Sequence, residues 1–160
     1  MERDGKGTVC LIGVNHKYQI GPHGVVRVDA SDEDFEEFAK LIRAAVESHS
    51  IRGVAEEMSV PALRKHFVNG PSFPCELAAK IGLPHRYCDP EPKMQEALNI
   101  KSSKQREDFW LQEIKRFNIF PLLFILGADH VDSFEALLTE SGMQPIVVAP
   151  NWDSPLSGEA

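Results

Sequence analysis

Apolar residues recur along this chain in two rhythms. Short continuous runs stand at 8–13 (Thr-Val-Cys-Leu-Ile-Gly), 121–127 (Pro-Leu-Leu-Phe-Ile-Leu-Gly) and 146–149 (Ile-Val-Val-Ala), with a run at 51–58 that finishes on two carboxylates, Glu56 and Glu57. Runs of this length, bounded by glycine or turn formers, predict strands buried on both faces of a parallel sheet. His85-Arg-Tyr-Cys-Asp-Pro90 predicts one more brief strand, and Val25, Val26 and Val28 a short edge strand. Between these runs the spacing changes to that of helices. Phe35, Phe38, Ala39, Ile42, Ala45 and Val46 form one stripe of a helix that Ser31 opens, that carries Asp32, Glu33 and Asp34 in its first turn, and that ends near His49.

Ser59 and Pro61 start a short helix with Leu63 and Phe67, broken by Gly70-Pro71; Ser72 and Pro74 start the next, which Gly82 stops. A longer helix runs from about Ser103 to Phe117, with Arg106, Trp110, Ile114 and Phe117 on one stripe. An arginine on the apolar side of a helix needs an anion, and Glu57, Asp89 or a substrate would serve. Asp132 or Ser133 is expected to cap the last helix, which turns Val131, Phe134, Leu137 and Leu138 inward. Residues 17–24 predict a loop, and 90–105 either a helical lid or a mobile loop. The whole predicts a single-domain α/β fold over 1–150, a mainly parallel central sheet of about five strands with helices on both faces, and a flexible tail over 151–160.

Composition narrows the classes. The net charge is −7, from 17 basic and 24 acidic residues, with no basic block, so nucleic acid and anionic membrane are not expected partners. The longest apolar stretch, Ile119 to Leu126, is far too short to span a bilayer. A polar start and three cysteines without a C-x-x-C pair predict a cytoplasmic protein with reduced thiols. Glycine-rich phosphate motifs and G-x-S-x-G are absent.

Candidate chemistry gathers where strands end. Two strands finish in the same way, Gly13-Val-Asn-His16 and Gly127-Ala-Asp-His130, which puts two histidines at the carboxyl edge where open α/β sheets bind ligands. Side chains alternate along a strand, so Glu56 and Glu57 face opposite ways and one at most points into a given site, while the other meets solvent or a cationic partner. Asp89 ends the brief strand, although Asp-Pro also simply favours a turn. Tyr18, Gln19 and His23, in the segment that leaves the first histidine, are second-tier candidates.

In chain order, Ile-Gly-Val-Asn-His at 12–16, Ala-Glu-Glu-Met at 55–58, Arg106 opening Arg-Glu-Asp-Phe-Trp, and Leu-Gly-Ala-Asp-His at 126–130 resemble the superfamily of TraB/Tiki, ChaN-like and erythromycin-esterase-like proteins. The resemblance implies site roles for His16, Glu57, Arg106 and His130, with Glu57 preferred to Glu56 because an apolar residue, Met58, follows it. Asp89 resembles an Asp that often ends the strand between the Glu and the Arg. The expected function is a metal-dependent hydrolase, peptidase- or esterase-like, acting on a small-molecule or peptide substrate. His16, Glu57 and His130 would hold one divalent Mn, Co, Fe or Zn ion, and Arg106 would neutralise developing charge. A metal-free version has one histidine as general base with Glu57 orienting it. The alternative is a non-catalytic module that binds a ligand or partner in the same pocket.

Overall fold

The structure, a computed structural model, describes residues 7–21 and 30–156. Val25, Val26, Val28 and His23 lie outside the described residues. Five strands make one all-parallel sheet: β1 (Thr8–Val14), β2 (Gly53–Glu56), β3 (His85–Tyr87), β4 (Leu122–Gly127) and β5 (Gln144–Trp152), in the spatial order β3-β2-β4-β1-β5. The helices are α1 (Lys17–Ile20), α2 (Asp32–His49), α3 (Val60–Lys65), α4 (Phe73–Ile81), α5 (Pro92–Ala97), α6 (Ser103–Phe117) and α7 (Val131–Glu140).

The alternation of β1 divides the core into two layers. Cys10, Ile12 and Val14 pack with Tyr18, Phe35, Phe38, Ile42 and Leu77 from α1, α2 and α4. Val9 and Leu11 face the other way, onto Trp110, Ile114, Phe134 and Leu138 from α6 and α7. Both faces are therefore covered, as expected of continuous apolar strands. The three cysteines are free, with Cys10 and Cys88 buried. Among the described residues no helix is long and apolar enough to cross a membrane.

Four expectations are corrected. The loop expected over 17–24 begins as α1, whose four residues are too few to show a helical period in sequence. It is set by Asn15, whose side-chain oxygen accepts the Lys17 N–H at 2.9 Å, while the His16 carbonyl accepts from Gln19 and Ile20. The last helix is not capped by Asp132 or Ser133. A 3-10 turn over Ala128–His130 leads directly into α7, and Ser133 turns its hydroxyl to Glu107 instead. β5 is longer than 146–149, because Pro145 and Pro150 are tolerated on an edge strand. The tail is not loose immediately after β5. Trp152 packs on Tyr18 and Phe38 with ring centroids 5.0 and 5.2 Å away, and the Tyr18 hydroxyl bonds Asp153 and accepts the N–H of buried Ser154.

The segment 90–105 contains α5, none of whose residues is buried, and it lines neither of the cavities described below.

Candidate functional site

Register brings three strand ends level. Val14 of β1 pairs with Gly127 of β4, Glu56 of β2 pairs with Ile125, and the Glu57 N–H bonds the Ile125 carbonyl at 2.8 Å. The residues just past these ends line a cleft of about 430 Å³, which contains His16, Glu57, Arg106, Asp129, His130 and Asn151. Asn151 arrives from β5, whose register against β1 shifts twice before Trp152, a bulge that redirects the end of the strand.

The glycines of the two Gly-x-x-His phrases act through space rather than through a special backbone angle. A Cβ on Gly127 would lie 3.2 Å from His16 Nε2 and 3.3 Å from Glu57 Oε1. One on Gly13 would lie 2.3 Å from the Pro150 carbonyl and 2.5 Å from Val131, so β5 and α7 close over β1 only because no side chain is there.

Glu57 is at the centre. Its side chain is 2% exposed, Oε1 accepts the Gly127 N–H at 2.8 Å, and Oε2 accepts from Arg106 Nη2 at 2.5 Å. Arg106 also gives two hydrogen bonds to Asp89 Oδ1, at 3.2 and 3.0 Å, and Asp89 takes a third from the Trp110 indole at 2.8 Å. Burial opposes the charge on Arg106, but Asp89 and Glu57 outweigh it and raise its pKa further. The anion required by an inward arginine is thus supplied twice over. Its Nη1 donates to neither carboxylate.

Both histidines present Nε2 to this carboxylate, His16 at 3.7 Å and His130 at 3.9 Å from Glu57 Oε2. These distances are too long for hydrogen bonds and leave a gap. Each Nδ1 is held on the far side. His130 Nδ1 meets the buried Glu107 carboxylate at 2.8 Å, which also accepts from Ser133 at 2.6 Å. His16 Nδ1 meets Gln19 Oε1 at 2.6 Å. The orientation of Gln19 follows from its other partners, because its NH₂ donates to Glu56 Oε1 at 2.8 Å and to the Glu57 carbonyl at 3.2 Å, and both of those accept only. Each Nδ1 therefore carries a hydrogen, and in a neutral ring Nε2 holds the lone pair that faces the cleft.

Glu56, one residue earlier, points to the opposite side of β2. It is fully buried and bonded to His85 Nε2 at 2.5 Å, to the Ser72 hydroxyl and to Gln19. Burial disfavours charge on His85, but its bonds to Cys75 and Glu56 and the charge of Glu56 outweigh that and raise its pKa to about 9.

No family model, curated protein or solved structure matches this chain. The candidate chemistry therefore stands on the geometry. Of the residues expected from sequence, His16, Glu57, Arg106 and His130 share the cleft, and Asp89 sits behind Arg106, touching the same guanidinium. Tyr18 is buried in the core, and Gln19 supports His16. The three-donor metal centre expected from His16, Glu57 and His130 is not assembled. Among the described residues no group of three His, Cys, Asp or Glu side chains is placed to hold a metal ion, and Glu57 Oε2 is paired with the Arg106 guanidinium. A divalent Mn, Co, Fe or Zn ion at Glu57 would share that carboxylate with the Arg106 guanidinium.

Sequence reasoning assigns no site role to Glu107 or His85, and to Ser72 only that of a helix cap. Glu107 had a signal, because it lies three and four residues before Trp110 and Leu111, a carboxylate on the buried flank of the α6 stripe. For His85 and Ser72 the partner, Glu56, is distant in sequence, and no local pattern reports it.

Proposed function

We propose that the cleft hydrolyses an ester or amide by general acid–base chemistry, with His16 and His130 holding the attacking water. The observation that carries this reading is that two imidazoles, each fixed at Nδ1, aim Nε2 at the same carboxylate oxygen across gaps of 3.7 and 3.9 Å. A water seated there donates one hydrogen to each Nε2 lone pair and turns its oxygen outward to the substrate carbonyl. His16, with its side chain 49% exposed against 15% for His130, is the ring that reaches substrate and takes the proton.

The water oxygen bonds the carbonyl carbon as His16 Nε2 accepts the proton. Arg106 Nη1 faces the resulting oxyanion. Collapse breaks the ester C–O or amide C–N bond, and the His16 imidazolium returns its proton to the leaving oxygen or nitrogen.

The test is turnover against a panel of p-nitrophenyl esters and aminoacyl p-nitroanilides, run in a chelator. The account expects turnover that survives chelation and falls by about 100-fold or more in His16→Gln and His130→Gln. Turnover that chelation abolishes would favour the metal-dependent version. Stabilisation by panel compounds without turnover would favour the binding module.

A further inference from the structure

The Arg106–Glu57 pair has a second open side. A cavity of about 190 Å³, less than half the volume of the cleft, shares His16, Glu57 and Arg106 with it. The rest of its wall differs in kind. Where the cleft continues into Asn15, Asp129 and Asn151, this compartment continues into Ile20, Met58 and Ala62. Ile20 and Met58 are buried and belong to a small apolar cluster with Leu63 and Val68, so this wall is packed from behind and not a loose rim. Besides the shared Glu57, its carboxylate is Asp89, which already takes hydrogen bonds from Arg106 and Trp110. His66, the remaining polar side chain on its wall, is solvent-exposed.

Resting on the reading that His16, Glu57 and Arg106 are the reacting centre, we infer that this compartment is a specificity pocket for a short branched aliphatic group adjoining the scissile bond. The two cavities meet at those three side chains, so a bond held there has one flank on each side. The polar flank belongs in the cleft, where the asparagines and Asp129 offer hydrogen bonds. The other flank meets carbon at Ile20, Met58 and Ala62, where an aliphatic group loses water against apolar walls and a charged group gains no hydrogen bond from these three side chains. Substrates of this class are branched-chain acyl esters or amides, aliphatic on one side of the bond and polar on the other.

The test uses binding, not turnover, so it stands apart from the hydrolase reading. Isovaleramide, with acetamide as control, is titrated into the full chain while methyl signals of Ile20, Met58 and Ala62 are followed by NMR. Saturable shifts are expected at those methyls, with acetamide, three carbons smaller, binding at least about tenfold more weakly, since even one missing methylene in an apolar pocket costs about that much. Ala62→Trp, or Ala62→Leu if the larger side chain disturbs folding, is expected to abolish the shifts while Asn151 and His130 signals stay in place. Absent shifts, equal affinity for acetamide, or binding unchanged in a folded Ala62 variant would overturn it. Specific binding without hydrolysis of any panel substrate would instead sink the proposed reaction and keep the pocket.

Discussion

Glu56 and Glu57 are consecutive, chemically identical and almost equally buried, yet their surroundings give them opposite tasks. Glu56 ends β2 pointing into closed protein, where His85, Ser72 and Gln19 satisfy it and solvent never reaches it. Glu57 has its oxygens tied by Gly127 and Arg106, but its second oxygen borders a cleft with two imidazoles across a gap. Burial of a carboxylate therefore does not mark a site; Glu57 is set apart by the cleft that it lines. Gln19 joins the two, bonded to Glu56 on one side and to His16 on the other.

The comparison breaks most visibly at Glu56. Glu56→Leu leaves His85 and Ser72 facing carbon, and breaking a buried ion pair from one side costs about 3–5 kcal/mol. Chemical denaturation is expected to show that loss. A cost below that of a surface change would mean the pair is not buried as described.

The same pair sets a pH dependence. The His85 pKa is raised from 6.5 to about 9, so the stability it contributes is fully present below pH 6.5 and is lost as pH rises through about 9. That window corresponds to about 3 kcal/mol, as an order of magnitude. Denaturation series across it are expected to fall in the wild type and to stay level in His85→Leu.

At Glu57 the expected stability loss is smaller and the functional loss larger. Glu57→Gln keeps an acceptor for Gly127 but sets an amide against Arg106, which retains Asp89, for a cost of about 2 kcal/mol. Turnover of any panel ester is expected to fall with it, whereas a conservative change such as Glu56→Asp is read out chiefly in stability. Asp89→Asn is the mildest change. It weakens bonds from Arg106 and Trp110 at a partly exposed spot and is expected to cost about 1 kcal/mol by thermal unfolding.

Much of this was legible in the chain because it is local. Buried runs closed by Gly13 and Gly127 read as strands, and Ser31, Ser59 and Ser72 each accept the backbone N–H expected of a helix cap. Four of the five site candidates line the cleft because strand ends collect at one sheet edge. What stayed hidden depends on tertiary partners. The α6 stripe already asks for an anion at Arg106, with Glu57 or Asp89 to serve. That the guanidinium takes both, and so sits on the carboxylate expected to hold a metal with His16 and His130, follows only from the packing of α6. The tail reading failed for a similar reason, since the apolar partners of Trp152, Tyr18 and Phe38, lie more than a hundred residues away in sequence.

Both cleft histidines are fixed by Nδ1–H and present Nε2 lone pairs to one carboxylate. Long-range ¹H–¹⁵N spectra of the imidazoles at about pH 8 read this directly, because they separate the two ring nitrogens by which one carries the hydrogen. The account predicts an unprotonated Nε2 and a protonated Nδ1 in both His16 and His130, with His85 protonated at both nitrogens in the same spectrum. Loss of the single tautomer at His16 in Gln19→Leu would complete the result. An unprotonated Nδ1 in either cleft histidine of the wild type would contradict it.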